Sequence, residues 1–183
     1  MDDYIYAETM RCIQRYGTRD PYVLLDKLNV DRKETFAYPE DGLKGYCTIM
    51  NRTMYVRING YLADTDKKIL TTHEGGHLIL HPHIILNSPT GVFKDLELYS
   101  IKNRYESEAN FFAADFLIND SDIMLQALEQ EMDFFKIACI LCVPPQLLNF
   151  KLYSMNKRGF PVTNPESLDS RFLKKSNKNI SLM

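Results

Sequence analysis

All four histidines of this 183-residue chain fall within eleven positions: His73, His77, His81 and His83. The first two enclose His73-Glu74-Gly75-Gly76-His77. The surrounding stretch, Asp66 to His81, reads as a helix that Asp64 or Thr65 caps and Pro82 stops. No other feature constrains the fold as much. A four-residue step on an α-helix advances about 400°, so the imidazoles of His73 and His77 leave one face about one turn apart. Ring nitrogens so placed can reach one Zn²⁺ at about 2.0–2.1 Å, with the intervening Glu74 beside a water rather than on the metal. Such a five-residue pattern arises by accident in roughly one chain in two hundred of this length, so a third ligand has to be found.

Two regions offer one. His83 stands six residues after His77, the third-ligand position of the pattern H-E-x-x-H-x-x-G-x-x-H. That pattern needs glycine three residues after the second histidine, and Leu80 stands there. The other region is a predicted helix from about Asn103 to Ile118, carrying Glu106, Glu108 and Asn110. A carboxylate from it would complete a His₂Glu set and leave the fourth position to water. Glu106 and Asn110 share a face, so Asn110 could orient a neighbouring ligand. Glu108 is turned about 200° from Glu106 and cannot serve alongside it. On the residues alone, either glutamate is a candidate. His81 extends the His73–His77 face by one more turn. A metal contact from there would crowd the site, so it reads as a C-terminal histidine interacting with the helix dipole.

The rest of the chain reads as an α+β fold, mainly helical with a small antiparallel β-sheet. Helices are predicted over Tyr4–Tyr16, ended by Gly17, and over Tyr22–Leu28, opened by Asp20-Pro21. Between Thr35 and Asn59 the segments Thr35–Tyr38, Gly45–Met50 and Thr53–Ile58 are β-branched and aromatic, with turn residues between them. A long loop is expected after Pro82, and further helices over Asp122–Leu128, Met132–Cys142 and Gln146–Lys157. Phe111, Phe112, Phe134, Phe135, Met124, Leu125 and Leu128 read as core. With 45% hydrophobic and 25% charged residues the composition is that of a globular protein, and no apolar run approaches a membrane span. Four cysteines, no secretory leader and no disulfide-dense spacing make a reduced, cytoplasmic location the expectation. Cys139 and Cys142 read as ordinary buried thiols rather than half of a zinc knuckle.

Taken together these segments resemble the ImmA/IrrE family of zinc metallopeptidases. Asp20–Leu28 looks like its early helix, and Gly45-Tyr46 with Met54–Asn59 like its hairpin. Lys68–His81 looks like its active-site helix, and Glu106–Ile118 like its third-ligand helix. The resemblance covers roughly residues 20 to 160. It implies a zincin-like fold with His73, His77 and Glu106 as Zn²⁺ ligands and Glu74 as general base. It further implies an endopeptidase that cuts one helix-turn-helix repressor of a phage, mobile element or stress regulon. Two positions depart from the family: Gly75 stands where a bulky apolar residue is usual, and Asn119-Asp120 replaces the usual Met-Pro.

The organisation expected is a metallopeptidase core over 1–130, a helical hairpin over 131–160 and a basic, poorly ordered tail over 161–183. From Glu131 onward the net charge is +4, against −6 for the preceding residues. The hairpin has the outline of a helix-turn-helix, with Gln146, Asn149, Lys151, Asn156, Lys157 and Arg158 expected to be exposed. Its basic residues gather at the far end of the second helix, whereas base-reading side chains cluster at the near end. A protein partner is therefore expected before DNA, and no membrane. The rival is a non-catalytic regulator with a structural zinc, which would have no use for Glu74.

Overall fold

In the computed structural model, which describes residues 2–88, 92–95, 99, 103–124 and 134–162, several helix ends follow local signals, although the helix that begins at Asp64 follows Ala63 without the side-chain cap expected from Asp64 or Thr65. Helix α1 (Asp2–Tyr16) ends at Gly17, whose φ of +62° is the left-handed conformation that glycine adopts without strain. Asp20 caps α2 (Pro21–Lys27), its carboxylate accepting from the amides of Tyr22 and Val23 at 2.8 and 3.3 Å. Pro21 takes the first helical position, where an amide would have no partner.

The strands are β1 (Asp31–Thr35), β2 (Gly45–Met50), β3 (Thr53–Asn59) and β4 (Val92–Asp95), in the order β1-β3-β2-β4. The small sheet is present, but it is mixed rather than wholly antiparallel, because β1 runs parallel to β3. Nor does the first strand lie at 35–38. Its sequence, Asp-Arg-Lys-Glu-Thr, lacks every apolar signal of a strand. Side-chain ties hold it instead. Arg57 donates to the Asp31 carbonyl at 2.6 Å and pairs with its carboxylate at 3.2 Å. Lys67 pairs with Glu34 at 2.9 Å, and the Arg32 guanidinium lies 4.4 Å from the centre of the Tyr22 ring. An edge strand needs only one ladder, so charges on it are tolerated.

Beyond β3 come α3 (Asp64–Leu80), α4 (Pro82–Asn87), α5 (Arg104–Leu117), α6 (Phe134–Ile140) and α7 (Pro145–Lys157). Pro82 ends α3 as expected and then opens α4, where a loop was expected. The strand β4, pairing antiparallel with β2, likewise stands in the region expected to be loop. Residues 120–124 are helical, while the rest of the predicted helix to Leu128 and the tail beyond Val162 lie outside the described residues.

The chain divides into two compact units. In the unit Met10–Leu98, α3 lies across β2 and β3 and against α2. Its apolar centre is Leu25, Val30, Cys47, Val56, Ile58, Leu70, Leu78 and Ile85. In the unit Met1–Thr9 with Tyr99–Met183, α5 packs on α7 through pairs such as Phe111–Phe150, edge to face at 5.2 Å. Within it lies an ionic cluster. Lys151, 1% exposed, pairs with Asp115 at 2.8 Å and Asp120 at 2.6 Å, and Arg158 pairs with Asp120 at 2.7 Å. Ser154 donates to Asp115, and the Arg158 guanidinium lies 3.6 Å from the centre of the Tyr6 ring. Asp120 thus receives two cations, one from Lys151 of the last helix and one from Arg158 just past its end.

The same cluster corrects the reading of α7. The bend of 108° from α6 to α7 suits a helix-turn-helix. Yet Asn149 and Lys151 are buried, and Arg158 is half-buried and paired. Lys157 is the exposed basic side chain of this helix. The positive charge that phosphate contacts need is used inside the unit. Three further expectations are corrected. Cys139 and Cys142 are exposed, at the end of α6 and in the turn that follows it, and Phe135 is 37% exposed. Cys12 and Cys47 are the buried thiols, and burial pushes Cys12 up to about 11. Among the described residues no single helix is long and apolar enough to cross a membrane.

Candidate metal centre

Every residue of α3 from Ile69 to Leu78 is buried. A helix enclosed on all sides should be apolar throughout, yet this one carries His73, Glu74 and His77 at 3, 0 and 0% exposure. Burying three titratable groups within five residues is costly unless something engages them. The histidine rings meet edge to face with centroids 4.7 Å apart, and their Nε2 atoms converge to 3.0 Å. Two nitrogens on a tetrahedral Zn²⁺ at about 2.0–2.1 Å would stand about 3.3 Å apart, so the pair is close to a ligating geometry.

Glu106 stands in the first turn of α5, whose start Asn103 caps by accepting from the Tyr105 amide at 2.8 Å. The Glu106 side chain is half-buried there. Two nitrogens and a carboxylate oxygen are a donor set that suits zinc. Glu108 instead forms an ion pair with Arg104, one turn back, at 2.7 Å. His83 is exposed on α4.

Two glycines shape this part of α3, and their roles differ. Gly45 opens β2, and a Cβ there would stand 2.9 Å from Leu70, 3.0 Å from the Arg57 carbonyl and 3.2 Å from Oε1 of Glu74. Glycine lets the strand pass this close to Leu70, to the Arg57 carbonyl and, a little farther off, to Glu74. The sequence reading took Gly45 as the mere start of a strand; glycine inside a strand pattern is the signal for such an approach. The Gly45 position is braced by Asn59, which donates to the carbonyls of Pro39 and Leu43 and accepts from the Tyr61 amide.

Gly75 meets α2: a Cβ there would be 3.2 Å from Leu25 Cδ2. Helix propensity favours alanine over glycine by about 1 kcal/mol, so Gly75→Ala should change stability little, with the contact to Leu25 opposing the gain. Gly75→Leu should cost about 1–3 kcal/mol through overpacking against a buried leucine. Chemical denaturation of both variants would check this, and an unchanged midpoint for Gly75→Leu would mean that the gap is wider than it looks.

Comparison with known proteins adds to this geometry. The peptidase family described as the IrrE N-terminal-like domain matches residues 35–153. The chain belongs to that family. The match takes in α3 and α5, and so both motifs that carried the resemblance to the ImmA/IrrE peptidases. Membership points to a metallopeptidase. A relative titled "Uncharacterized immunity region protein 2", from Bacillus phage phi105, is 31% identical over 147 residues, covering 80% of this chain and 88% of its own. A solved structure titled "Mycobacterium tuberculosis transcriptional regulator" is similar in fold, with a TM-score of 0.59 at 16% identity. It aligns with 87% of this chain, which spans half of that structure's length.

Proposed function

We propose that this family member is a zinc endopeptidase in which His73, His77 and Glu106 hold the metal and Glu74 is the general base. The observation that carries the reading is the convergence of two buried imidazoles on α3, their Nε2 atoms 3.0 Å apart, with a buried glutamate next to the first histidine; Glu106 is assigned as third ligand from its place in the family-matched segment. Bound zinc would act as a Lewis acid on the scissile carbonyl and make water a better nucleophile near neutral pH. Glu74 takes the proton that the attacking water loses and returns it to the leaving amine. His73 and His77 are held one turn apart by α3 and therefore present their nitrogens without a large reorganisation.

The substrate we propose is a helix-turn-helix repressor, cut at one exposed site. Support comes from membership of the family and from the phage relative, which is named for an immunity region. Protein rather than DNA is the partner, since Lys151 of α7 and Arg158 at its C-cap are paired with carboxylates.

Metal analysis tests the ligand set. Purified protein should hold one zinc per chain, and His77→Ala should abolish it. Glu106→Gln should weaken binding strongly, because a neutral amide is a poor zinc ligand, while Glu108→Gln should leave the metal in place. A reversed pair of outcomes would move the third ligand to Glu108.

A further inference from the structure

His81 is the joint of two helices. Its amide donates to the His77 carbonyl at 2.9 Å and closes α3, while its own carbonyl accepts from the amides of Ile84 and Ile85 at 3.0 and 3.1 Å and opens α4. Pro82 follows at the first position of α4. The backbone is held from both sides, which fixes the point from which the side chain leaves. It is 3% exposed, and its ring centroid lies 5.3 Å from that of His77 at an interplanar angle of 51°. The two Nδ1 atoms are 3.1 Å apart.

We infer that His81 is a positioning residue for His77: it accepts the Nδ1 proton of His77 and so holds the ring with Nε2 turned to the metal. The inference rests on the ligand set proposed above. An imidazole that gives Nε2 as a lone-pair ligand carries its proton on Nδ1. That proton needs an acceptor in a buried site, and the nearby Nδ1 of His81 supplies one when His81 keeps its own proton on Nε2. The bond sets the tautomer of His77, restrains its ring and raises the basicity of the ligand nitrogen. Carboxylates and backbone carbonyls usually fill this role. Here a third histidine on the same helical step fills it, so the spacing 73, 77, 81 supplies two ligands and the support of the second.

Side chains of known reach test this in the full chain. His81→Asn places an amide oxygen where Nδ1 stands, whereas His81→Gln reaches toward the Nε2 position and His81→Phe removes the acceptor. Zinc affinity is read by competition with a chromophoric chelator, and each zinc-free variant is melted in parallel. His81→Phe should weaken zinc binding about 10–100-fold, and His81→Asn should recover most of that loss. A purely structural role would instead make affinity follow the melting point of the zinc-free protein. Wild-type affinity in His81→Phe would overturn the inference, as would equal affinities for the Asn and Gln variants. Should His81→Phe fail to fold, the contrast between Asn and Gln decides alone. If wild type takes up no zinc, the ligand set falls and this inference with it. If wild type binds zinc, His77→Ala does not, and the His81 variants are indifferent, only the role of His81 falls.

Discussion

Glu74→Gln is expected to keep the zinc and the fold while losing about 10²–10⁴-fold or more of the cleavage rate. Glutamine has nearly the same shape, so it fits the space that Glu74 occupies beside β2. What disappears is the capacity to take a proton from water and return it to the leaving amine. The group is fully buried, which leaves bulk water little opportunity to act as a substitute base. The measurement is co-expression with the repressor from a neighbouring gene, followed by a blot for shortened repressor and metal analysis of both enzymes. Wild type should shorten the repressor and Glu74→Gln should not, although both bind it. Relief of repression by both proteins with the repressor intact would instead establish a binding-only regulator.

Lys151→Met should destabilise the protein by about 3–5 kcal/mol, the usual cost of removing one partner from a buried ion pair. Methionine fills most of the volume, so the loss is electrostatic. Asp115, 1% exposed, and Asp120 would lose the ammonium that stands 2.8 and 2.6 Å from them. Lys157→Met, at an exposed position farther along the same helix, should stay within about 0.5 kcal/mol and serves as the control. Denaturant unfolding compares the two, and equal midpoints would show that the buried lysine contributes nothing. Acid supplies a second reading. Burial pushes the Asp120 carboxyl up, but hydrogen bonds from Arg158 and Lys151 outweigh it and hold it well below the usual carboxylate range. A depressed folded-state value means that its stabilisation is complete above the unfolded-state pKa of about 3.9 and is lost as pH falls below that. The stability gap between wild type and Asp120→Asn should therefore be widest above about pH 5 and narrow steadily in stronger acid.

Legibility followed the range of the interactions. The helix ends were written in caps and turns that act over three or four residues: Asp20 with Pro21, Gly17 and Asn103. The apolar strands β2 and β3 announced themselves by side-chain type. Strand β1 did not, because its stability comes from Arg57, Lys67 and Tyr22, which lie 22 or more positions away or on another element. Its parallel direction was equally hidden, since the local sequence of a strand does not state which neighbour it will find. The α4 helix was missed because proline was read only as a stop, although it is equally suited to a first turn.

At the site, the sequence by itself determined the histidine spacing, the glutamate between them and a second helix bearing two carboxylates. Those are consequences of the 3.6-residue period and needed no tertiary information. It also carried the family signature, which the match over residues 35–153 bears out. Only the tertiary structure decided that α3 is enclosed, that His81 turns its Nδ1 to His77, and that a Cβ at Gly45 would crowd Leu70, the Arg57 carbonyl and Glu74. It also decided that Lys151 is interior, though on α7 it had read as an exposed basic residue. The physical reason is that a residue's type records what it can do, whereas burial and pairing depend on groups that only folding brings within a few ångströms.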